Sequence, residues 1–489
     1  MEPRGRRLAA VATFALGCGL AGGCSSATGI AVDPAWSSAG VPISRDLFGH
    51  NTVWSQGGLG LWDDGARALV ASAVQEVQAL KPGLLRFPGG TRAMRYHFDE
   101  ARGATRTPQC DPFKGTLDAT TYGPDEFFAL ADSLGSDVSW VAPWVDGSPS
   151  ESQRIAQFLA DKPQVKLLEI GNEPYLGLPA GPSSGSCGRA TQFVQDERWA
   201  GDARIPTTAA DYAAQLAITA PLVRAAAPGL RIGAPATSQY DGESDAMTAV
   251  GDVDAAQGDG DAWNARLLAD AHDAFDTFVL HPYDFSVDDD ARIHLAERAR
   301  KTVHDLRAAA PDKQIAITEY GMLFGGGTLL NALVTVDMTR MAIEEQLAMS
   351  VRHILIETDA SGPFADSAAI GPGLEREPGF EASTLILPLA GGTAYPLADP
   401  ATDLVALPAR TADGGLAVLL IDRRVDDGPA RDVRVALPAG DWQVQTTTLA
   451  GAIGDKSVAL ADGSRGHASG SVHVTVGAHS AVVLLAAAQ

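Results

Sequence analysis

Two short apolar runs in this chain each lead into a glutamate: Leu167-Leu-Glu-Ile-Gly-Asn-Glu173-Pro174 and Ile315-Ala-Ile-Thr-Glu319-Tyr-Gly321. An apolar run of that length between turn residues reads as a buried parallel strand. Each carboxylate then stands where a strand leaves its sheet, the end at which α/β folds do their chemistry. Two carboxyl groups are what glycoside hydrolysis needs. One protonates the leaving oxygen while the other attacks or stabilises the anomeric carbon. Retention of configuration calls for a separation of roughly 5 Å and inversion for roughly 6.5 to 9.5 Å, a choice the sequence leaves open.

Other polar residues fall at strand ends in a similar register: His50 and Asn51, Arg86, Trp144, His281 and Tyr283, and Glu357. Arg86, inside Leu85-Arg86-Phe87-Pro88-Gly89-Gly90, is a poor core residue unless paired, because an unpartnered buried guanidinium is costly. Its expected partner is a catalytic carboxylate, which it would keep ionised. Asn172 places a donor and an acceptor beside Glu173. Tyr283 is placed to hydrogen-bond a nucleophile or else fills the barrel. Trp54, Trp62 and Trp144 offer flat faces that stack on sugar rings, and each equally suits simple packing.

The elements that must position these residues alternate strand and helix up to about Thr358. Eight strands are expected: Arg45 to Asn51, Gly83 to Gly90, Asp137 to Trp144, Val165 to Pro174, Leu230 to Thr237, Ala274 to Tyr283, Gln314 to Gly321 and Val351 to Thr358. Between them lie helical patterns, the clearest being Leu69, Val70, Ala73, Val74, Val77 and Leu80. The sum is an α/β fold, a (β/α)8 TIM barrel over residues 45–387, with an open doubly wound sheet as the competitor. No Gly-x-Gly-x-x-Gly follows the first strand to support a dinucleotide site. From residue 388 to 489 the period changes to two, the signature of a C-terminal all-β sandwich, and residues 29–44 alternate in a way that lets them add a strand to it. The acidic Asp241 to Asp261 reads as a solvated loop, with calcium ligation as the sharper alternative.

The 489-residue chain carries a formal charge of −23. Taking off Met1 to Gly23, which holds +2 (Arg4, Arg6 and Arg7 against Glu2), leaves −25. Such a surface repels nucleic acid at long range, and no nucleic-acid partner is expected. Residues 1–23 combine a basic head with the apolar stretch Leu8 to Leu20, the form of a secretory signal. Leu20-Ala-Gly-Gly-Cys24 resembles a lipoprotein cleavage site with Cys24 as the lipid-bearing first residue. The expected location is extracytoplasmic, as a cell-surface or periplasmic lipoprotein or as a secreted enzyme, with contact to a membrane through that lipid alone. Cys110 and Cys187 then remain, a candidate disulfide in an oxidising compartment, or else two free thiols.

These residues resemble the clan A retaining glycoside hydrolases, in which the acid/base glutamate follows an asparagine on strand four and the nucleophile ends strand seven. Within that clan the chain is most similar to glycoside hydrolase family 51, the α-L-arabinofuranosidases, through Arg86-Phe-Pro-Gly-Gly90, Tyr96-His-Phe-Asp-Glu-Ala-Arg-Gly103, Tyr122-Gly-Pro-Asp-Glu-Phe127, Gly171-Asn-Glu173, His281-Pro-Tyr283 and Thr318-Glu319. The resemblance implies that Glu319 attacks the anomeric carbon and that Glu173 serves as acid and then as base. Asn172 would bind the neighbouring hydroxyl, Arg86 and Tyr283 would hold Glu319, and no metal or organic cofactor would be required. It departs from the family where Pro174-Tyr-Leu replaces the usual Met-Asp-Gly, and where Tyr320-Gly321 follows the nucleophile in place of Trp-Asn. Those positions line the sugar site. A related clan A activity, on a glucuronide, a xyloside or a β-glucan, is therefore the second expectation, and Glu357, if it faces the pocket, disfavours a uronic acid. A carbohydrate polymer or oligosaccharide is the expected substrate throughout. The reading from another class is a non-catalytic carbohydrate-binding lipoprotein on the same scaffold.

Overall fold

The computed structural model describes residues 30–111, 116–144, 147–176, 208–237, 260–284, 287–322, 326–362, 365, 367–397 and 403–489. Cys24, Cys187, nearly all of Asp241 to Asp261 and most of the loop from Leu176 to Trp199 lie outside the described residues. Cys110 is disulfide-bonded.

Eight parallel strands form one sheet: β1 Gly49–Asn51, β2 Leu84–Phe87, β3 Asp137–Ala142, β4 Val165–Ile170, β5 Ile232–Pro235, β6 Thr277–Leu280, β7 Gln314–Ile317 and β8 Val351–Arg352. Each pairs with its sequence neighbour, and β8 pairs with β1. The ring closes between β7 and β8 through a parallel bridge from Ile317 to Ser350 and a 3.1 Å hydrogen bond from Ile317 N to Met349 O. This closed barrel excludes the open doubly wound alternative.

Strand pleating explains both the core and the site. Side chains two apart share a face, so the inward positions climb from an apolar floor to a polar ceiling. Leu84, Leu167, Val279, Ala316 and Val351 share one buried cluster inside the barrel. Two residues further along the same strands stand Arg86, Glu169, His281, Thr318 and His353. The outward positions, among them Leu85, Phe87, Leu168, Ile170, Phe278, Leu280, Ile315 and Ile317, join the main core under the helices. The helix Ala71–Leu80 buries Ala73, Val77 and Leu80 against it, at the spacing of one helical face. Another starts at Pro124, with Gly123 before it and the Glu126 carboxylate accepting from Gly123 N at 2.9 Å. The Tyr122–Phe127 motif is thus a helix start that shapes the rim of the barrel.

The C-terminal strands form a second, largely antiparallel sheet. The period-two pattern alone suggests separate short strands at Val433–Leu437, Trp442–Leu449 and Val472–Val476, and the structure differs. Val433–Leu437 and Trp442–Leu449 belong to one 20-residue strand, Arg431–Ala450, and Val472–Val476 ends a strand that begins at Ala461. The register shifts between Ala436 and Asp441, at Pro438-Ala-Gly440. A turn-like Pro-Ala-Gly here makes a bulge that bends the strand without ending it. The first half of that strand pairs with Ile30–Val32 and the second half with Ser480–Ala488, so one continuous sheet folds over to make both layers of the sandwich. Val418, Leu420, Val433, Val435, Val482 and Leu484 fill the space between those layers. The opposite face, with Leu407, Leu419, Ile421 and Val483, joins the barrel's own core. Packing on both sides accounts for the helix Leu329–Glu344, which is buried around its whole circumference through Ile343. Among the described residues no helix is long and apolar enough to cross a membrane.

Candidate active site

The polar ceiling of the barrel is organised around Arg86, which is fully buried on β2. Its Nε reaches Glu169 Oε1 at 2.9 Å, and its Nη2 reaches Glu169 Oε2 at 2.8 Å and Asn172 Oδ1 at 2.9 Å. The remaining Nη1 donates to Glu319 Oε1. One guanidinium therefore bridges strands four and seven and offsets two buried carboxylates at once.

Glu319, just past the end of β7, is held on both oxygens. Asn51 Nδ2 donates to Oε1 at 3.3 Å and the Tyr283 hydroxyl to Oε2 at 2.8 Å. Burial by itself would raise the pKa of Glu319. His281 and His353 when protonated at low pH, the charge of Arg86 and the bond from Tyr283 outweigh that and hold it well below the ordinary carboxylate range. Glu319 is thus an ionised carboxylate aimed at the barrel mouth. Burial lowers His353 to about 4, despite the nearby Glu319, so the ring is neutral. Its Nδ1 lies 2.8 Å from Asn51 Nδ2 and accepts that proton.

Glu173 follows β4 after the turn at Gly171 and Asn172. Gly171 has φ 86, and a side chain there would strike Trp144 Cβ. Glu173 itself has φ 44, in the left-handed region that costs a residue with a Cβ roughly 1 kcal/mol or more. Its Oε2 takes a 3.3 Å bond from Asn172 Nδ2 and its Oε1 lies 3.0 Å from His281 Nδ1. Because Arg86 holds the oxygen of Asn172, the amide nitrogen is fixed on the Glu173 side. A carboxylate oxygen of Glu173, one of Glu319 and a ring nitrogen of His281 all lie within 4.8 Å of one another. That convergence would also suit a cation. The Glu319 carboxylate is already paired with Arg86, however, and both His281 nitrogens are engaged, so a cation would have to displace those partners.

The structure brings together Asn51, Arg86, Asn172, Glu173, His281, Tyr283 and Glu319. It separates the others. Trp144 is 3% exposed, its ring 4.6 Å from that of Tyr212, and Trp54 is fully buried with its Nε1 bonded to Arg92 O. The sugar-stacking faces expected of these two rings are covered by packing. Trp62 is half-buried and lines a rim pocket of about 180 Å³ with Asp64, Arg67, Arg106, Thr121 and Glu126. Glu357 is buried, with Asp359 N donating to its Oε1 at 3.2 Å and Gly362 against its carboxyl group, within the loop after β8. His50 points the opposite way from Asn51, as the strand's alternation requires. It faces outward toward Arg352, and burial, then that charge, lowers it to about 3. Glu169 and His353 were not singled out in the sequence. Glu169 sits inside an apolar run in the same inward register as Leu167, and a charge at such a position was the available signal.

The structure as a whole is a (β/α)8 barrel with a C-terminal β domain, carrying two glutamates past the ends of strands four and seven. No protein-family model matches the sequence, and no curated protein sequence matches it. Among solved structures the chain is similar to the GH51 arabinofuranosidase from Xanthomonas axonopodis pv. citri, at 17% identity and TM-score 0.68 over 94% of this chain and 100% of that one. It is similar to the alpha-L-arabinofuranosidase from Thermotoga maritima at 18% identity and TM-score 0.69, covering 94% and 99%. A 4-O-alpha-L-rhamnosyl-beta-D-glucuronidase from Fusarium oxysporum 12S superposes at 16% identity and TM-score 0.64, covering 93% and 100%. At these identities the likeness establishes the fold.

Proposed function

We propose that this chain is a retaining glycoside hydrolase that removes α-L-arabinofuranosyl groups from a polysaccharide or oligosaccharide. The observation that carries the reading is that a carboxylate oxygen of Glu173 and one of Glu319 lie within 4.8 Å of each other, in keeping with the roughly 5 Å of double displacement and short of the roughly 6.5 to 9.5 Å that inversion uses. Glu319, ionised and held on both oxygens, attacks the anomeric carbon. Glu173 protonates the departing oxygen and then, as a carboxylate, takes a proton from the water that releases the sugar. Asn172 is oriented to meet the hydroxyl beside the anomeric centre. The likeness to two arabinofuranosidases across nearly the whole chain supports the sugar. Export through the leader of residues 1–23, with Cys24 lipidated, would put the enzyme where such polymers are met.

A second reading, release of a glucuronide, has one feature in its favour. The fold is shared, over 93% of this chain, with a 4-O-alpha-L-rhamnosyl-beta-D-glucuronidase, whereas the buried Arg92 on the loop after β2 is paired with Asp111 at 3.0 Å and lends no support. Hydrolysis of a panel of aryl glycosides by the mature protein and its Glu319→Gln variant separates these. Release from the α-L-arabinofuranoside that the variant lacks supports the first reading. Release from the β-glucuronide alone supports the second, and silence of the wild type on every substrate favours an endo-acting enzyme or a binding protein.

A further inference from the structure

Glu169 lies beneath both glutamates and touches neither, and its hydrogen bonds run in a direction that can be worked out. An ionised carboxylate only accepts. Glu169 takes Arg86 Nε and Nη2, Ser139 Oγ at 2.7 Å and Thr318 Oγ1 at 3.1 Å. The single hydroxyl proton of Thr318 is therefore spent on Glu169, and the same oxygen must accept from its other neighbour, His281 Nε2, at 3.0 Å. His281 thus carries its proton on Nε2. Its Nδ1, 3.0 Å from Glu173 Oε1, brings no proton of its own while the ring is neutral. The proton between His281 and Glu173 is then the one a general acid gives away.

We infer that Glu169 is a positioning residue which, through Thr318, fixes His281 as its Nε2–H tautomer and so keeps the transferable proton on Glu173, while its grip on Arg86 aims Nη1 at Glu319. One buried carboxylate would in this way set the state of both members of the pair. The inference rests on the proposed roles of Glu173 and Glu319, but half of its test needs no substrate.

The deciding variant is Thr318→Val, which leaves His281 Nε2 without its acceptor and buries no unpaired charge. The ring's proton then moves to Nδ1, facing Glu173 Oε1. Nitrogen-15 NMR of the histidine-labelled protein should show the His281 Nε2 and Nδ1 shifts exchange character, and unchanged tautomer signals would overturn the inference. On whichever glycoside the wild type cleaves, kcat should fall roughly 10-fold or more with little change in KM. The basic limb of kcat/KM should move to lower pH, because a donor to the charged form of Glu173 favours that form. A variant with lower activity but an unmoved limb would mark the bond from Thr318 to Glu169 as merely structural. Thr318→Ser, which keeps the hydroxyl bond to Glu169, should retain the wild-type tautomer and limb. A tautomer change in Thr318→Ser as well would equally overturn the inference. A wild type inactive on every glycoside would count against the proposed function and leave the NMR result to decide this one.

Discussion

The Tyr283 hydroxyl stands 2.8 Å from Oε2 of Glu319, while Arg86 and Asn51 occupy Oε1. The two oxygens of one carboxylate are thus divided between a neutral donor at the mouth and a charged donor beneath. A nucleophile needs one oxygen to attack, and Tyr283, half-buried at the mouth, is the donor a sugar can displace or share. Replacing Tyr283 with Phe removes a hydrogen bond to a charged group, worth about 1.5–3 kcal/mol. The expected result is a roughly 10- to 100-fold slower formation of the glycosyl-enzyme with the fold intact. Pre-steady-state release of an aryl leaving group measures it, and an unchanged burst rate would remove Tyr283 from the machinery.

Arg86 makes a different prediction because it is structural and electrostatic at once. Its guanidinium and the carboxylate of Glu169 are fully buried, and removing one partner of such a set leaves an uncompensated charge at a cost of about 3–5 kcal/mol. Arg86→Ala should therefore lower the denaturant midpoint markedly as well as abolish turnover. Arg86→Lys supplies charge without the fork that serves Glu169, Asn172 and Glu319 together, and should fold better than Arg86→Ala yet remain poorly active. Equal stability of Arg86→Ala and wild type in urea titrations would contradict this account.

Acid should destabilise the folded protein well before its carboxylates titrate. His50 is lowered to about 3 and His353 to about 4, each chiefly by burial. As pH falls below about 6.5 the unfolded chain takes up protons that the folded chain refuses, so stability drops steadily until the folded pKa is reached, by at most about 1.4 kcal/mol per unit and group. Glu319 acts in the same direction lower down. Its depressed pKa gives stability that is complete above the ordinary carboxylate range and is lost as pH falls through the folded value. Melting temperature should decline from pH 7 to pH 4, with a shallower slope in His50→Gln. A flat profile in the wild type would mean these rings are not buried neutral.

How much of this was legible in the sequence follows from which signals are local. The runs ending at Glu173 and Glu319 announced themselves because an apolar strand followed by a turn is contained in eight residues. Arg86 was legible for the same reason. Glu169 was not, although it lies within one of those runs. A run read as uniformly buried hides the alternation of faces, and only the barrel decides that Leu167 and Glu169 point inward while Leu168 and Ile170 point to the helices. Trp54 and Trp144 show the converse. Their type advertises sugar stacking, but Tyr96, Tyr212 and Gly171, distant in sequence, cover them. In the sandwich, Pro438-Ala-Gly440 has the composition of a turn, and the pairing on both sides converts it into a bulge.

Trp62 is the one of the three tryptophans singled out that keeps a partly open face. It stands on the loop after β1, which is anchored on one side where Gly58 lies against the Tyr122 ring and on the other where Thr358 Oγ1 donates to Leu59 O at 3.0 Å. The pocket is therefore on the same rim as Glu173 and Glu319, and Asp64, Arg67 and the Arg106–Glu126 pair surround the indole with hydrogen-bonding groups. An indole face flanked by such groups suits a further sugar ring of a longer substrate. Trp62→Ala should raise KM for an oligosaccharide several-fold while leaving the kinetics on an aryl monoglycoside unchanged, since the small substrate does not reach the rim. Parallel kinetics on the two substrates provide the check. An equal loss on both would mean that Trp62 supports the loop rather than the sugar, and no loss on either would leave the rim pocket without a role in binding.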